Sequence, residues 1–427
     1  MIRLTGLLAA LLLISACAGV AVRPSPVATT TTSTGVATTL PSSDSIPAST
    51  TSTSTPSGPP VAWIAPSGVP TAVTAANGET VEVLTPCGNP AVLTEGTPVH
   101  EVDVVIDAGH GGPIDTGAVG ETGLAEKDIN LAVSLAVHDL LAERGIPSFL
   151  TRVGDYPIPI RNRAAYSDLV DARAIVSIHH NAPLAPASEI PGVEIFVQRD
   201  TPESARLGGL IYEKTMASLS EFDVEWARAP DAGVMTVVNS EGEDAYGMVR
   251  RPEAPSALVE LGYIANPAEA RLYTDPAYVP AVASAVTDAI EVFFTSDEAG
   301  SPLVEGRDFD PAGGVGQDQC IEPDLELSLY PDVVDVSVSG DEGSYDFDVT
   351  VSSPYDSPNR HADAWRVVGD DGQIYGVREL THDHANEQPF TRSLSGVDIP
   401  QSVDTVTVQA RDLVYGWGGA VVEVALP

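Results

Sequence analysis

The chain has few cationic side chains. Its 427 residues include 21 Lys and Arg against 60 Asp and Glu, which gives a formal net charge of -39. A protein that binds nucleic acid needs a basic surface to neutralise phosphates, so this charge balance excludes nucleic acid as a partner. With 43% hydrophobic and 19% charged residues, the chain can still build globular cores, and its length allows two to four domains.

Long apolar runs are also scarce. The run at residues 4–14 follows Arg3 and is too short to span a bilayer, which takes about 20 residues, but it suits the core of a signal peptide. It ends in Ile14-Ser15-Ala16-Cys17, which resembles a bacterial lipobox. We expect residues 1–17 to be a signal peptide and the protein to lie in the cell envelope, anchored in the membrane by lipid on Cys17. The alternative is plain secretion.

Residues 18–60 contain mainly Thr, Ser and Pro. Such a composition cannot bury enough apolar surface to fold, so this segment is predicted to be a disordered tether. Fully extended, it would reach on the order of 100 Å at about 3.1 Å per residue.

Cysteine is rare, with three in the whole chain. If Cys17 carries lipid, Cys87 and Cys320 remain as an even pair in an oxidising compartment, and we expect them to form a disulfide. The alternative is two free thiols. The bond would tie residues 61–99, predicted as an N-terminal β arm, to the segment around Cys320.

Residues 100–297 alternate short β-branched runs with amphipathic stretches, which favours a three-layer α/β domain with a mostly parallel central sheet. Residues 298–325 are rich in Gly and Pro and are predicted to be a linker. Residues 326–427 change to short alternating strands with turn signals such as Gly340-Asp341 and Asp371-Gly372. This pattern is typical of an all-β sandwich of the immunoglobulin or fibronectin kind.

Four ionisable side chains of the α/β region are candidates for a catalytic site. His110, His179 and Glu260 lie at the ends of predicted strands, where an open sheet places its active site, and Glu126 begins a predicted helix. Two imidazoles, a carboxylate ligand and a further carboxylate are the groups that a catalytic zinc site needs. Each residue alone also has an ordinary explanation, because polar residues are common in loops and acidic residues are common in the first turn of a helix.

The sequence around these residues resembles the zinc-dependent N-acetylmuramoyl-L-alanine amidases of bacterial cell walls. The resemblance covers about residues 100–296 and rests on five runs in order: Ile106-Asp107-Ala108-Gly109-His110-Gly111-Gly112, Gly123-Leu124-Ala125-Glu126-Lys127-Asp128-Ile129-Asn130-Leu131, Leu150-Thr151-Arg152, Ser177-Ile178-His179-His180-Asn181-Ala182 and Leu258-Val259-Glu260-Leu261-Gly262-Tyr263-Ile264-Ala265-Asn266-Pro267. It implies that His110, Glu126 and His179 bind one Zn²⁺ and that Glu260 is the catalytic carboxylate. His180 stands where the family often has alanine, and the Ser-Ile-His register selects His179 as the ligand.

The family resemblance implies a peptidoglycan hydrolase. Water activated by zinc, with Glu260 as general base, would cleave the amide between the lactyl group of N-acetylmuramic acid and L-alanine. Asp107 and Asn130 are expected to orient the metal-bound imidazoles, and Asn181 to do the same or to contact substrate. Arg250 is expected to bind a carboxylate of the substrate, with a surface ion pair as its alternative.

Two other functions stay open at this point. The chain could be a wall-binding protein with weak or absent catalysis, or a zinc hydrolase of another amide. Residues 220–259 show no helical period, which predicts a site without a built-in helical plug, and no protein activator is evident. In the C-terminal region, Trp365, Tyr375, Tyr415 and Trp417 could form a glycan platform or a core, and His361, His382 and His384 could bind metal or be ordinary loop residues.

Overall fold

The computed structural model describes residues 58–181, 192–224, 226, 232–310, 318–341, 343–369 and 372–427. The predicted signal peptide, the lipidation site Cys17 and nearly all of the predicted tether lie outside the described residues, as does Ala182.

Residues 62–99, predicted as an arm, form an antiparallel sheet of their own. Its strands are β1 (Ala62–Ile64), β2 (Pro70–Ala76), β3 (Val81–Leu84), β4 (Pro90–Leu93) and β5 (Thr97–Val99). They lie in the order β4-β3-β2-β1-β5. Ala62 and Ala72 are buried in the same cluster as Val105 and Leu258, so this sheet covers part of one face of the α/β core.

The α/β domain has a mixed sheet flanked by helices on one face and by helices and the N-terminal sheet on the other. In chain order its elements are β6 (Val104–Ala108), α1 (Glu126–Glu143), β7 (Ser148–Leu150), α2 (Ile160–Leu169), β8 (Ala174–Asn181), β9 (Glu194–Val197), α3 (Pro202–Leu219), β10 (Gly233–Met235), β11 (Val237–Val238), α4 (Gly247–Arg250), β12 (Ser256–Tyr263), α5 (Pro267–Leu272), α6 (Tyr278–Thr295) and β13 (Arg307–Asp308). The main sheet has the order β10-β9-β12-β8-β6-β7. β7, β6, β8 and β12 are parallel, and β9 is antiparallel to β12. The predicted α/β class is confirmed.

Helix periodicity places α1, α3 and α6 on one face of the main sheet. In α1, Ile129, Val133, Val137 and Leu141 recur at helical spacing and are buried in a core cluster with residues of the other two helices. Gly145 follows α1 with a φ of 70°, the left-handed conformation that ends a helix cheaply at glycine. α6 is long and apolar enough to cross a membrane by composition, but much of it is buried in this core, as expected for a central helix of a globular domain.

Part of the predicted linker belongs to the domain. The amide of Val304 donates to the carbonyl of Val234 at 2.8 Å, and β13 pairs with β11 in parallel. Gly233 permits this approach, because a Cβ there would lie 2.9 Å from a methyl group of Val304. We call residues 303–309 the edge segment, since they extend the edge of the main sheet next to β10.

The C-terminal region folds into two antiparallel sheets. Its strands are β14 (Asp332–Asp341), β15 (Ser344–Ser352), β16 (Ala362–Val368), β17 (Ile374–Glu379), β18 (Phe390–Asp398), β19 (Thr405–Asp412) and β20 (Gly416–Ala425). The sheets have the orders β14-β15-β18 and β17-β16-β19-β20. Both contribute side chains to one core around the fully buried Trp365. The strand-rich class is therefore as predicted, and Trp365 is a core residue.

The N-terminal sheet, the α/β domain and the C-terminal region meet in one hydrophobic cluster. Val83 from β3, Tyr156 and Ile158 from the loop before α2, and Leu329 and Tyr415 from the C-terminal region are buried in it. The predicted disulfide between Cys87 and Cys320 is confirmed, and it links two residues that are 233 positions apart in the sequence.

Loss of this disulfide should destabilise the protein. In the chain-entropy account, a cross-link over so long a loop contributes about 5 kcal/mol by restricting the unfolded chain. Denaturant unfolding of the Cys87→Ser/Cys320→Ser variant should therefore show a lower midpoint than the parent. A reductant should lower the midpoint of the parent towards that of the variant and leave the variant unchanged. Equal midpoints for parent and variant would contradict a stabilising role.

Candidate metal and catalytic site

The order of the central strands brings the predicted residues together. Glu260 on β12 is in register with His179 on the neighbouring β8. The next strand, β6, leads into His110, and the amide of Gly109 donates to the carbonyl of Ile178 on β8 at 3.0 Å. Because parallel strands end at the same edge of a sheet, side chains that are far apart in sequence converge there.

His110, Glu126 and His179 form a group that could hold a metal ion. Oε1 of Glu126 lies 3.2 Å from Nε2 of His110 and 3.0 Å from Nδ1 of His179. The two imidazole rings are 4.9 Å apart and nearly perpendicular. Two imidazole nitrogens and one carboxylate oxygen around a common point are the donor set of many catalytic zinc sites, so the residues present fit this metal.

His110 is held in an unusual backbone conformation with a φ of 61°. Its Nδ1 lies 2.6 Å from Oδ1 of Asp115, which fixes the ring and leaves Nε2 free to face Glu126. Burial disfavours the charged imidazole, but Glu126 and the hydrogen bond to Asp115 raise the pKa of His110 to about 10. No sequence pattern marks Asp115, because an acidic residue in a glycine-rich loop is common.

Two glycines make room for the side chains of His179 and Glu126. A Cβ at Gly109 would lie 2.2 Å from Nε2 of His179, and a Cβ at Gly117 would lie 2.5 Å from Oε2 of Glu126. Gly117 also has a φ of 64°, which suits glycine. The close approach of backbone to ligand at these positions explains why glycine precedes His110 in the motif.

His180 has a structural position beside the site. Its Nδ1 lies 2.7 Å from Oδ1 of Asn130, and its Nε2 lies 2.9 Å from the hydroxyl of Tyr278. Burial lowers the pKa of His180 to about 3, so the ring is neutral with both nitrogens engaged. Nδ2 of Asn130 donates to Oε1 of Glu126 at 3.4 Å. Asn130 therefore contacts Glu126 and His180 rather than the imidazole of His110 or His179.

Among the described residues, Asp107 has no hydrogen bond to the imidazole of His110 or His179. It is fully buried and accepts hydrogen bonds from Thr151, Ser177 and Arg163 at 2.6, 2.6 and 3.0 Å. Burial alone would raise the pKa of Asp107, but Arg163 and the two hydroxyl groups lower it overall. Arg163 also donates to the carbonyl of His110. Asp107 thus acts on the site through the arginine that holds the His110 loop.

Glu260 faces a small cavity of about 160 Å³. Its lining includes His110, Asp115, His179, Tyr246, Met248 and Glu260. Oε2 of Glu260 is buried and has no hydrogen-bond partner among the described residues. Burial, together with Glu126 and Glu194, raises the pKa of Glu260 well above its usual value. An orphaned carboxylate oxygen beside a possible metal group suits a base that meets water or substrate.

The two residues expected to bind substrate lie near the cavity but are not part of its lining. Nδ2 of Asn181 donates to Oε2 of Glu194 at 2.9 Å. Arg250 donates to the carbonyl of Asp244 at 2.6 Å and lies 3.5 Å from the carboxylate of Glu243. For Arg250, these contacts match the surface ion pair that was its alternative explanation.

A second group of possible ligands lies in the C-terminal region and comprises His382, His384 and Glu387. Glu387 already accepts a hydrogen bond from Arg392 at 2.6 Å, and His384 stacks on Phe390. A cation bound there would have to compete with the guanidinium, so these contacts favour the reading as ordinary loop residues.

The two adjacent histidines should differ in their effect on metal binding. His179→Ala removes a donor from the group and should reduce the affinity for Zn²⁺ at least about 100-fold, since losing a ligand costs more than losing an outer hydrogen bond. His180→Gln should keep the metal content of the parent and lose mainly stability. Metal analysis after dialysis against chelator-buffered zinc distinguishes the two variants. The reverse pattern would show that His180 is the ligand.

Zinc affinity should rise with pH. Since the pKa of His110 without metal is about 10, its ring carries a proton through the neutral range, and metal binding must release that proton. The apparent association constant should increase about tenfold per pH unit between about pH 6 and about pH 8. Competition titrations with a chelator of known protonation behaviour measure this slope. Asp115→Asn should lower the pKa of His110, although Glu126, which raises that pKa most, remains. A zinc affinity independent of pH would contradict the assignment.

Known proteins are similar to the part of the chain that contains this site. The family profile described as N-acetylmuramoyl-L-alanine amidase matches residues 104–292. The protein YqiI of Bacillus subtilis, described as uncharacterized, is 35% identical over 213 residues, which are 49% of this chain and 91% of that protein. The germination-specific N-acetylmuramoyl-L-alanine amidase of Bacillus subtilis is 30% identical over 213 residues, 47% of this chain and 81% of that protein. Among solved structures, the amidase AmiC2 of Nostoc punctiforme is 28% identical, with a TM-score of 0.38, and the match covers 45% of this chain and 97% of that one. The chain belongs to the N-acetylmuramoyl-L-alanine amidase family.

Proposed function

We propose that this protein is a zinc-dependent peptidoglycan hydrolase that cleaves the amide between the lactyl group of N-acetylmuramic acid and L-alanine. The observation that carries the proposal is the convergence of His110, Glu126 and His179 at one point, with an unpartnered oxygen of Glu260 in the same cavity. Family membership supplies the substrate class, because the germination-specific relative carries that activity in its name.

The ligand residues prepare the site electrostatically. Zinc bound by His110, Glu126 and His179 would supply a Lewis acid for the amide carbonyl and would acidify a water molecule. Asp115 orients the ring of His110, and Asn130 orients Glu126, so both donor groups are fixed before substrate arrives. Fixed donors need no reorganisation during the reaction, which is the usual source of electrostatic catalysis.

Glu260 would move the proton. Its carboxylate takes a proton from the water whose oxygen attacks the carbonyl carbon, and it gives a proton to the nitrogen of L-alanine as the carbon–nitrogen bond breaks. Burial and the neighbouring carboxylates raise its pKa, which makes it a stronger base than an exposed glutamate. The products are a lactyl carboxylic acid on the glycan and a peptide with a free amino terminus.

The other parts of the chain have roles that follow from their composition. We propose that residues 1–17 export the protein and that lipid on Cys17 anchors it outside the cytoplasm, with residues 18–60 as the tether. The C-terminal region would be an immunoglobulin- or fibronectin-like sandwich that spaces the enzyme from the wall or targets it there. Tyr375 and Trp417 are half-buried. Tyr375 packs against the core of the two sheets, and the guanidinium groups of Arg366 and Arg411 lie 4.3 and 5.0 Å from the ring centre of Trp417.

Digestion of purified peptidoglycan tests the proposed reaction. The parent protein should release stem peptides that begin with L-alanine, detected by mass spectrometry. Glu260→Gln keeps the shape of the side chain but cannot accept the proton, so the rate should fall on the order of 100- to 10,000-fold.

Zinc content and thermal stability serve as controls, and both should match those of the parent. Peptides cleaved at another amide would replace the proposed bond with a different one. Intact glycan-linked peptides from a zinc-loaded, folded parent would favour the wall-binding alternative.

A further inference from the structure

The edge segment, residues 303–309, brings a cation to the catalytic cleft. It lies beyond the residues that match the family profile, which end at 292. Its backbone is fixed to the domain by three hydrogen bonds, from Val304 to Val234 at 2.8 Å, from Arg307 to Thr236 at 3.0 Å and from Phe309 to Val238 at 2.9 Å. Arg307 is therefore held in place by backbone pairing rather than carried on a free tail.

Arg307 reaches a buried carboxylate next to the catalytic one. Its Nη1 forms an ion pair with Oε1 of Glu194. Glu194 on β9 lies directly opposite Glu260 on the neighbouring β12, so both side chains project from the same face of the sheet. Oε2 of Glu194 accepts hydrogen bonds from Tyr263 at 2.8 Å and from Asn181 at 2.9 Å. The guanidinium is thus tied to the wall of the cleft.

The edge segment also touches the cavity through an aromatic side chain. The ring of Tyr246, which lines the cavity, stacks on Phe196 at 4.7 Å and contacts the ring of Phe309 at 6.2 Å. This contact places the edge segment at the rim of the same cavity that Glu260 faces.

The side chain of Arg307 is partly exposed to solvent, whereas that of Glu194 is buried. The exposed fraction is 41% for Arg307 and 1% for Glu194. The cavity lining includes the acidic residues Asp115 and Glu260, and Glu126 lies against His110. Arg163 in the lining is already paired with Asp107, and the whole chain has a net charge of -39. An anionic peptide would be repelled by these groups unless a cation received it. A guanidinium forms paired hydrogen bonds with a carboxylate, which gives both affinity and orientation.

We propose that Arg307 is a specificity-determining residue that binds a carboxylate of the stem peptide on the leaving side of the scissile amide. The proposal rests on the proposed function for the identity of the substrate. Glu194 holds the guanidinium at the rim, and the edge segment supplies it from outside the family-matched part of the chain. The substrate preference of this enzyme then depends on residues that the family profile does not include.

The proposal is tested by measuring variants of the enzyme on two substrates that differ only in their carboxylates. The substrates are a muramoyl dipeptide with free carboxylates and the same compound with every carboxylate converted to a carboxamide. Arg307→Ala should lower kcat/KM for the free acid about 10- to 100-fold, mainly through KM, because a charge-assisted hydrogen bond is lost. The loss of kcat/KM for the carboxamide should be smaller, because it reports only the buried Glu194 that Arg307 no longer compensates, so the ratio of the two losses measures carboxylate recognition. Arg173→Ala is the matched control, since that exposed arginine pairs with Asp103 just before the first residues of β8 and β6, at the strand ends opposite to His179 and His110.

A second variant separates recognition from structural support. The double variant Glu194→Gln/Arg307→Ala leaves no unpaired charge at the buried position opposite Glu260. A loss of activity confined to the free acid in this variant therefore again reports carboxylate binding. Equal losses on both substrates in both variants would show that Arg307 acts only through Glu194 and would overturn the proposal.

Binding measurements keep this test independent of cleavage. Calorimetric titration of the free-acid dipeptide into Glu260→Gln, with and without Arg307→Ala, should show weaker binding when Arg307 is absent. If the parent cleaves neither compound but binding still depends on Arg307, the proposed function fails and the recognition site stands. If neither binding nor cleavage depends on Arg307, the recognition site is wrong.

Discussion

Two buried arginines hold the loop on which the metal group depends. Arg152 donates to the carbonyl groups of Ala108 and Gly109 at 2.9 and 3.0 Å, and Arg163 donates to those of Ala108 and His110. Asp107 compensates the charge of Arg163 inside the core. The positive φ of His110 is an unfavourable backbone conformation. The hydrogen bonds from the two arginines to the carbonyl groups of the loop stabilise it. The position of His110 is thus set by the buried ion pair between Arg163 and Asp107.

The carboxylates around the cavity attract positive charge. Asp115, Glu126 and Glu260 line or adjoin one small cavity, and without a metal the His110–Glu126 contact places a protonated imidazole among them. A divalent cation and the proton on His110 compete for the same negatively charged groups. Burying several carboxylates together is unfavourable unless positive charge is close by, so the cluster favours binding of a metal cation.

The sequence predicted the parts of the site that are set by local pattern and chain order. His110 follows the buried strand β6, His179 and Glu260 lie near the C-terminal ends of β8 and β12, and parallel pairing of those strands accounts for their convergence. The helices were also predictable, because helical spacing of apolar residues marks α1, α3 and α6. Asp115, Glu194 and Arg307 were not predicted, since their contacts depend on loop shape or on antiparallel register across the sheet. The N-terminal sheet was underestimated for a similar reason, because its short strands pair with one another and alternate only weakly.

Residues outside the family match support the cleft from two sides. On one side, Tyr156 and Ile158 are buried against the N-terminal sheet and the C-terminal region, in the loop that begins at Arg152. Asp155 in that loop accepts a hydrogen bond from the amide of Gly112 and pairs with Lys127, so it joins the His110 loop to the start of α1. On the other side, the edge segment pairs with β10 and β11 and carries Arg307 to Glu194. A cleft supported in this way should resist opening more than the family core alone, because a movement of the His110 loop would also disturb a hydrophobic cluster that the Cys87–Cys320 disulfide constrains.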